Sequence, residues 1–167
     1  MQYHEIFRQA SAETQREILA ELLAEQKDAY KSAVEALAPG ARVRPLFVHR
    51  MPPPKRHAWL ARHLGRKSGE AIAGNILQFW LSGPRKPMLV EFLDTLGIEH
   101  EDGMLEELPP EPPEGRLEPA VETLLENHPP EHVRIYLEVF REMDLARWPQ
   151  LDEILAGHPK LAAVAAD

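Results

Sequence analysis

Cysteine is absent from the 167-residue sequence, which excludes disulfides, thiolate zinc sites and a cysteine nucleophile. No apolar run approaches the roughly 18 residues that a membrane-spanning helix needs. The N-terminal stretch is charged from Glu5 onward and lacks the apolar core of a secretory leader. A cytoplasmic protein is therefore the expectation. Motifs for metals and phosphates are missing too. None of the eight histidines has a glutamate three residues before it, as a helical di-metal site would require. His4-Glu5 begins like a zincin motif, but Arg8 stands where the second histidine belongs. His128 and His132 have ligand spacing, yet Pro129 and Pro130 between them deny the helical turn that would bring them together. The stretch Gly65-Arg66-Lys67-Ser68 lacks the earlier glycine of a phosphate loop and follows no strand. Neither a cofactor nor a catalytic group is indicated.

One further absence is local. From Arg42 to Lys67 there is no Asp or Glu, while eight Lys/Arg and three His fall in that span. The whole chain carries −8, so the other 141 residues sum to −16. Residues 99–118 are the counterpart, with eight acidic side chains against Arg116 alone, a net −7. Four of the five residues from 109 to 113 are proline, which denies regular structure there and marks an acidic loop or linker.

Apolar residues otherwise recur at helical spacing, predicting an all-α chain of six to eight helices. Tyr3, Ile6 and Phe7 mark a short first helix. Ile18, Leu19, Leu22, Leu23, Tyr30, Val34 and Leu37 form one stripe, predicting a long helix over 12–38 with Ser11 as its N-cap. Pro45 and the prolines at 52–54 deny a central strand, so 42–54 reads as an extended, proline-rich arm leading into a helix from Lys55. Residues 70–81 are apolar on nearly every side, predicting a buried helix in which Gly74 allows a close neighbour. Leu89, Phe92, Leu93 and Leu96 make the next stripe, with Gly97 in a left-handed stop that brings Ile98 against Leu93. Three helices then start near Pro119, Pro130 and Pro149, the last ended by Gly157 and Pro159. Residues 1–158 read as one helical domain, or as halves 1–98 and 117–158 joined by the acidic loop, and 159–167 as a frayed tail.

The basic segment is the candidate binding site. On a helix over 55–67, Lys55, Trp59, Arg62 and Arg66 share one side and Arg56, His63 and Lys67 an adjacent one, with Leu60 and Leu64 as an anchoring seam. Arg42, Arg44 and Arg50 extend the surface, with Arg85 and Lys86 as further candidates. Ser68 reads as a helix cap, or as part of an anion site at the helix start. The leading expectation is a non-enzymatic protein that engages an acidic protein surface or its own acidic loop, as a homodimer or other self-assembly. Salt-dependent nucleic-acid binding by the same residues is the alternative. An unmarked small-molecule enzyme or sensor site beside Phe79, Trp80 and His100 is a third.

Overall fold

The computed structural model describes residues 1–143 and 148–164. Among them lie eleven α-helices and no strand: α1 Tyr3–Gln9, α2 Ala12–Glu25, α3 Lys27–Leu37, α4 Pro45–His49, α5 Pro53–Leu64, α6 Glu70–Ser82, α7 Lys86–Leu96, α8 Leu117–Asn127, α9 Pro130–Met143, α10 Pro149–Gly157 and α11 Pro159–Val164. The fold is all-α, with more and shorter helices than the six to eight expected from periodicity. Three differences account for the excess. The helix expected over 12–38 breaks at Gln26, whose backbone leaves the helical region, and α3 packs against α2 and α5. Glu25 to Asp28 form a polar gap in the apolar stripe, so one straight helix would present no buried face there. The arm expected over 42–54 instead contains α4, opened by Pro45 and anchored by the fully buried Val48. Pro159 opens α11 rather than only ending α10, and Leu161 is fully buried, so 159–164 is not a frayed end. Residues 165–167 of the expected tail lie outside the described residues.

Contacts divide the chain into two compact units, Met1–Trp80 and Leu81–Asp167, with the division in the last turn of α6. In the first unit α5 packs against α1, α2, α3 and α4 around Phe7, Ile18, Leu19, Val34, Leu60 and Leu64, all buried. Ser11 caps α2 by accepting a hydrogen bond from the Thr14 N–H. Gln15 holds the other end of α1, donating to the Phe7 and Ala10 carbonyls at 2.9 and 3.0 Å. The N-terminus of α1 is held from far away in sequence. The Glu70 carboxylate accepts the backbone N–H groups of Tyr3 and His4 at 3.0 and 2.9 Å and meets His4 Nδ1 at 2.6 Å. One turn further along α6, a Cβ on Gly74 would lie 2.8 Å from the Tyr3 ring, so the expected close approach is the ring of Tyr3. Ala73, Ile76, Leu77, Trp80 and Leu81 are buried, but Ala71, Asn75, Gln78 and Phe79 leave one side of α6 exposed, correcting the all-round burial expected.

The second unit is built on α7 against α8, and on α9 against α8, α10 and α11. Phe92 meets Tyr136 and Phe140 edge-on at 5.4 and 5.5 Å, and Phe140 reaches Trp148 at 5.4 Å. Burial pushes the Tyr136 hydroxyl far above its ordinary range. A charge chain centred on the buried Glu138 docks the last helices. Arg134 donates to Glu138 at 3.1 Å and to the Leu161 carbonyl at 2.8 Å, and Arg141 joins Glu138 to Asp152 at 2.6 and 2.8 Å. Glu91 ties α7 to the end of α8 through Asn127 and His128. No helix among the described residues is long and apolar enough to cross a membrane.

Glu138 is 3% exposed, and Glu138→Ala removes the buried carboxylate shared by Arg134 and Arg141. The expected cost is about 3 kcal/mol, read as a lower urea midpoint. Glu122→Ala removes the exposed partner of His158 and is expected to cost about 0–1 kcal/mol. Glu70 gives a pH test. Burial works to raise its pKa, but the His4 and Tyr3 hydrogen bonds and the His4 charge outweigh that and hold it below its ordinary 4.5. Its stabilisation is complete above pH 4.5 and is lost as pH falls through the lower folded value. Glu70→Gln should therefore be less stable than the parent at neutral pH, and the gap in melting temperature should close on acidification below that range.

Candidate interaction surface

Proline shapes the basic segment. Pro45 starts α4 and Pro53 starts α5, because a proline in the first turn loses no intrahelical hydrogen bond. Between α3 and α4, Arg42 takes a left-handed backbone with φ of 56°, uncommon for a residue with a side chain. α5 stops at Leu64, one turn short of the helix expected to Lys67. Gly65 follows, Arg66 is extended, and Lys67–Gly69 form one 3-10 turn that leads into α6. Gly69 is required there, since a Cβ would lie 2.6 Å from the His63 carbonyl oxygen. Ser68 sits inside that turn, and the first residue of α6 is the acidic Glu70, which disfavours an anion at this helix start.

The nine expected binding residues divide by environment. Arg42, Arg44, Arg50, Lys55, Arg62, Arg66 and Lys67 are exposed. Among the described residues of the first unit, none of these seven makes an ion pair. Arg56 is different. Its Nε donates to the Tyr30 hydroxyl at 3.1 Å and its Nη1 to the His49 carbonyl at 3.1 Å, and its guanidinium lies 5.2 Å from the Tyr30 ring centre. Tyr30 in turn meets His57 Nδ1 at 2.8 Å, and both residues are buried. Burial raises the Tyr30 pKa, opposed by the Arg56 hydrogen bond and charge, while burial and then the Arg56 charge lower that of His57. Arg56 is thus a bolt between α3, α4 and α5. Trp59 is half-buried and stacks on His63 at 4.3 Å, so one ring face is occupied within its own helix. His63 is buried and bonded to the Trp59 carbonyl, not displayed on a basic flank.

Two exposed apolar residues of this segment are not among the expected binding residues. Leu46 and Phe47 on α4 are 57% and 60% exposed, and lie between Arg44 and Arg50 in sequence. The signal was present as adjacent large apolar residues of which only Val48, one position on, can face the core of a five-residue helix.

The acidic segment has more form than a linker. Glu101 and Met104 exchange two backbone hydrogen bonds of 2.9 Å around Asp102 and Gly103, whose φ values of 59° and 86° match a tight hairpin turn. Lys86 pairs with Asp102 in this unit. Gly97 takes the left-handed stop expected (φ 73°), and the Ile98 N–H donates to the Leu93 carbonyl. Arg116 packs on Gly97, where a cation meets the carbonyl end of α7. Residues 105–116 are irregular, but the Trp148 indole donates to the Pro109 carbonyl at 3.0 Å and holds the loop in place.

Of the third set, the Trp80 indole donates to Glu21 at 2.8 Å and Phe79 is 44% exposed. His100 lies in the second unit between Asp94 and the Gly103 N–H. Among the described residues no three His, Asp or Glu side chains gather as a metal set. Comparison with family models, curated proteins and solved structures finds no match.

Arg56 and Arg62 should behave oppositely. Arg56→Met leaves the buried Tyr30 hydroxyl and His49 carbonyl without a donor, for an expected loss of about 1–3 kcal/mol. Arg62→Met is expected to stay within about 0.5 kcal/mol of the parent. Urea unfolding of both variants checks the contrast.

Proposed function

We propose that the chain is a non-enzymatic, cytoplasmic protein that works by contact, using residues 42–67 to dock an acidic protein surface. The observation that carries this reading is the exposed pair Leu46 and Phe47 in a sequence segment whose exposed cations have no ion pair within their own unit. Apolar anchors inside a charged rim are the usual arrangement of a protein-binding patch, where the anchors supply affinity and the charges steer and orient. Arg42, Arg44 and Arg50 stand nearest the anchors in sequence, and Lys55, Arg62, Arg66 and Lys67 continue the basic surface. Arg56 and Trp59 support it from behind, through Tyr30 and His63. Nucleic acid remains the second reading, supported by the exposed cations and by Trp59, although one face of that ring is already stacked on His63.

A fluorescent glutamate-rich peptide carrying Leu and Phe anchors tests the proposal directly. Binding is expected at low salt, weakened at least tenfold by Arg44→Glu with Arg50→Glu, and weakened by Phe47→Ala. An oligonucleotide of equal charge should bind less well. If the oligonucleotide binds and the peptide does not, the protein-docking reading is wrong.

A further inference from the structure

We propose that the acidic surface taken by the basic segment is the acidic loop of a second copy of this chain. This rests on the docking reading above and supplies its partner. All eight acidic residues of 99–118 are exposed, and only Asp102 is ion-paired among the described residues of its unit. Among the described residues, seven exposed carboxylates with no ion pair in their unit thus equal in number the seven exposed cations with none in theirs. The imbalance extends beyond the two segments. Met1–Trp80 holds twelve Lys/Arg and eight Asp/Glu, a net +4, whereas Leu81–Asp167 holds seven and nineteen, a net −12.

The acidic loop is also shaped to be met. The Trp148 bond to Pro109 and the tight turn at 102–103 fix its path, so docking need not order a free linker. Met104, in that turn, is 68% exposed and offers an apolar partner to Leu46 and Phe47. A second copy brings one basic segment and one acidic loop, so each chain can both offer and receive the contact. Exposed pairs are screened by salt, with a Debye length near ~10 Å at 0.1 M. The association is accordingly salt-sensitive, while its apolar anchors set how much survives.

Sedimentation velocity of the full chain tests this across a concentration series at low and at high salt. The expected result at low salt is a species heavier than the 19.0 kDa chain, reduced at high salt. Arg44→Glu with Arg50→Glu should weaken self-association at least tenfold, and so should Glu106→Lys with Glu107→Lys. An equimolar mixture of the two variants should associate again, because each reversed surface then meets its opposite. Misfolded variants would not recover on mixing, so recovery identifies the contact. A chain that stays monomeric at every concentration and salt overturns the proposal, as does failure of the mixture to associate when both variants keep the parent's circular dichroism. If that happens while the glutamate-rich peptide still binds, the second copy is ruled out and docking of a different acidic protein stands.

Discussion

Short helices must have their ends satisfied, and this chain does so with long side chains brought from elsewhere in the sequence. Among the described residues no helix exceeds fourteen residues, near the length at which an isolated helix is marginal in water. Each one leaves up to four N–H and four C=O groups without intrahelical partners. Glu70 accepts the free N–H groups of α1, and Gln15 donates to its carbonyl end. Arg56 serves the last carbonyl of α4, Arg116 lies at the end of α7, and Arg134 reaches the closing turn of α11. A helix of any length leaves these end groups open, and in short helices they are a larger share of the backbone. These interactions also determine which charged residues are committed to the fold.

That commitment separates structure from function within one stretch of sequence. Arg56 and Arg62 are both arginines on α5, six residues apart. The first is held by a tyrosine and a carbonyl, the second meets solvent. A guanidinium spent on two buried acceptors is a poor binding group, because a partner would have to replace bonds already made. The remaining cations carry no such cost, and α4 adds the apolar pair that a purely electrostatic surface lacks. The acidic loop is sorted in the same way: Asp102 is taken by Lys86 and Arg116 by the end of α7, while the other carboxylates stay in water.

Much of this could be read from the sequence, and the rest had physical reasons to be hidden. The all-α class, the cap at Ser11, the stop at Gly97 and the crowding at Gly74 follow from local rules that depend on a few neighbours. Proline misled where its two meanings compete. At 45 and 159 its local meaning is an end to, or a bar against, regular structure, whereas the fold uses it to open α4 and α11. The break at Gln26 had no glycine or proline to announce it, only four polar residues in an apolar stripe. Glu70 with His4, and Arg56 with Tyr30, join positions 66 and 26 residues apart. Such pairings are set by tertiary packing, so no spacing rule could have found them. The basic segment was visible as charge, but exposure decides which of its members are free.

The three tryptophans divide the molecule optically. Trp59 stacks on an imidazole beside the cationic surface, Trp80 is buried with its indole on Glu21, and Trp148 is buried with its indole on the Pro109 carbonyl. An indole's emission depends on the polarity and quenching groups around it, and these three sit in unlike surroundings. Each therefore reports on a different feature: the basic face, the α2–α6 contact and the seating of the acidic loop. The chain carries its own spectroscopic labels, and replacing two tryptophans at a time isolates the signal of the third.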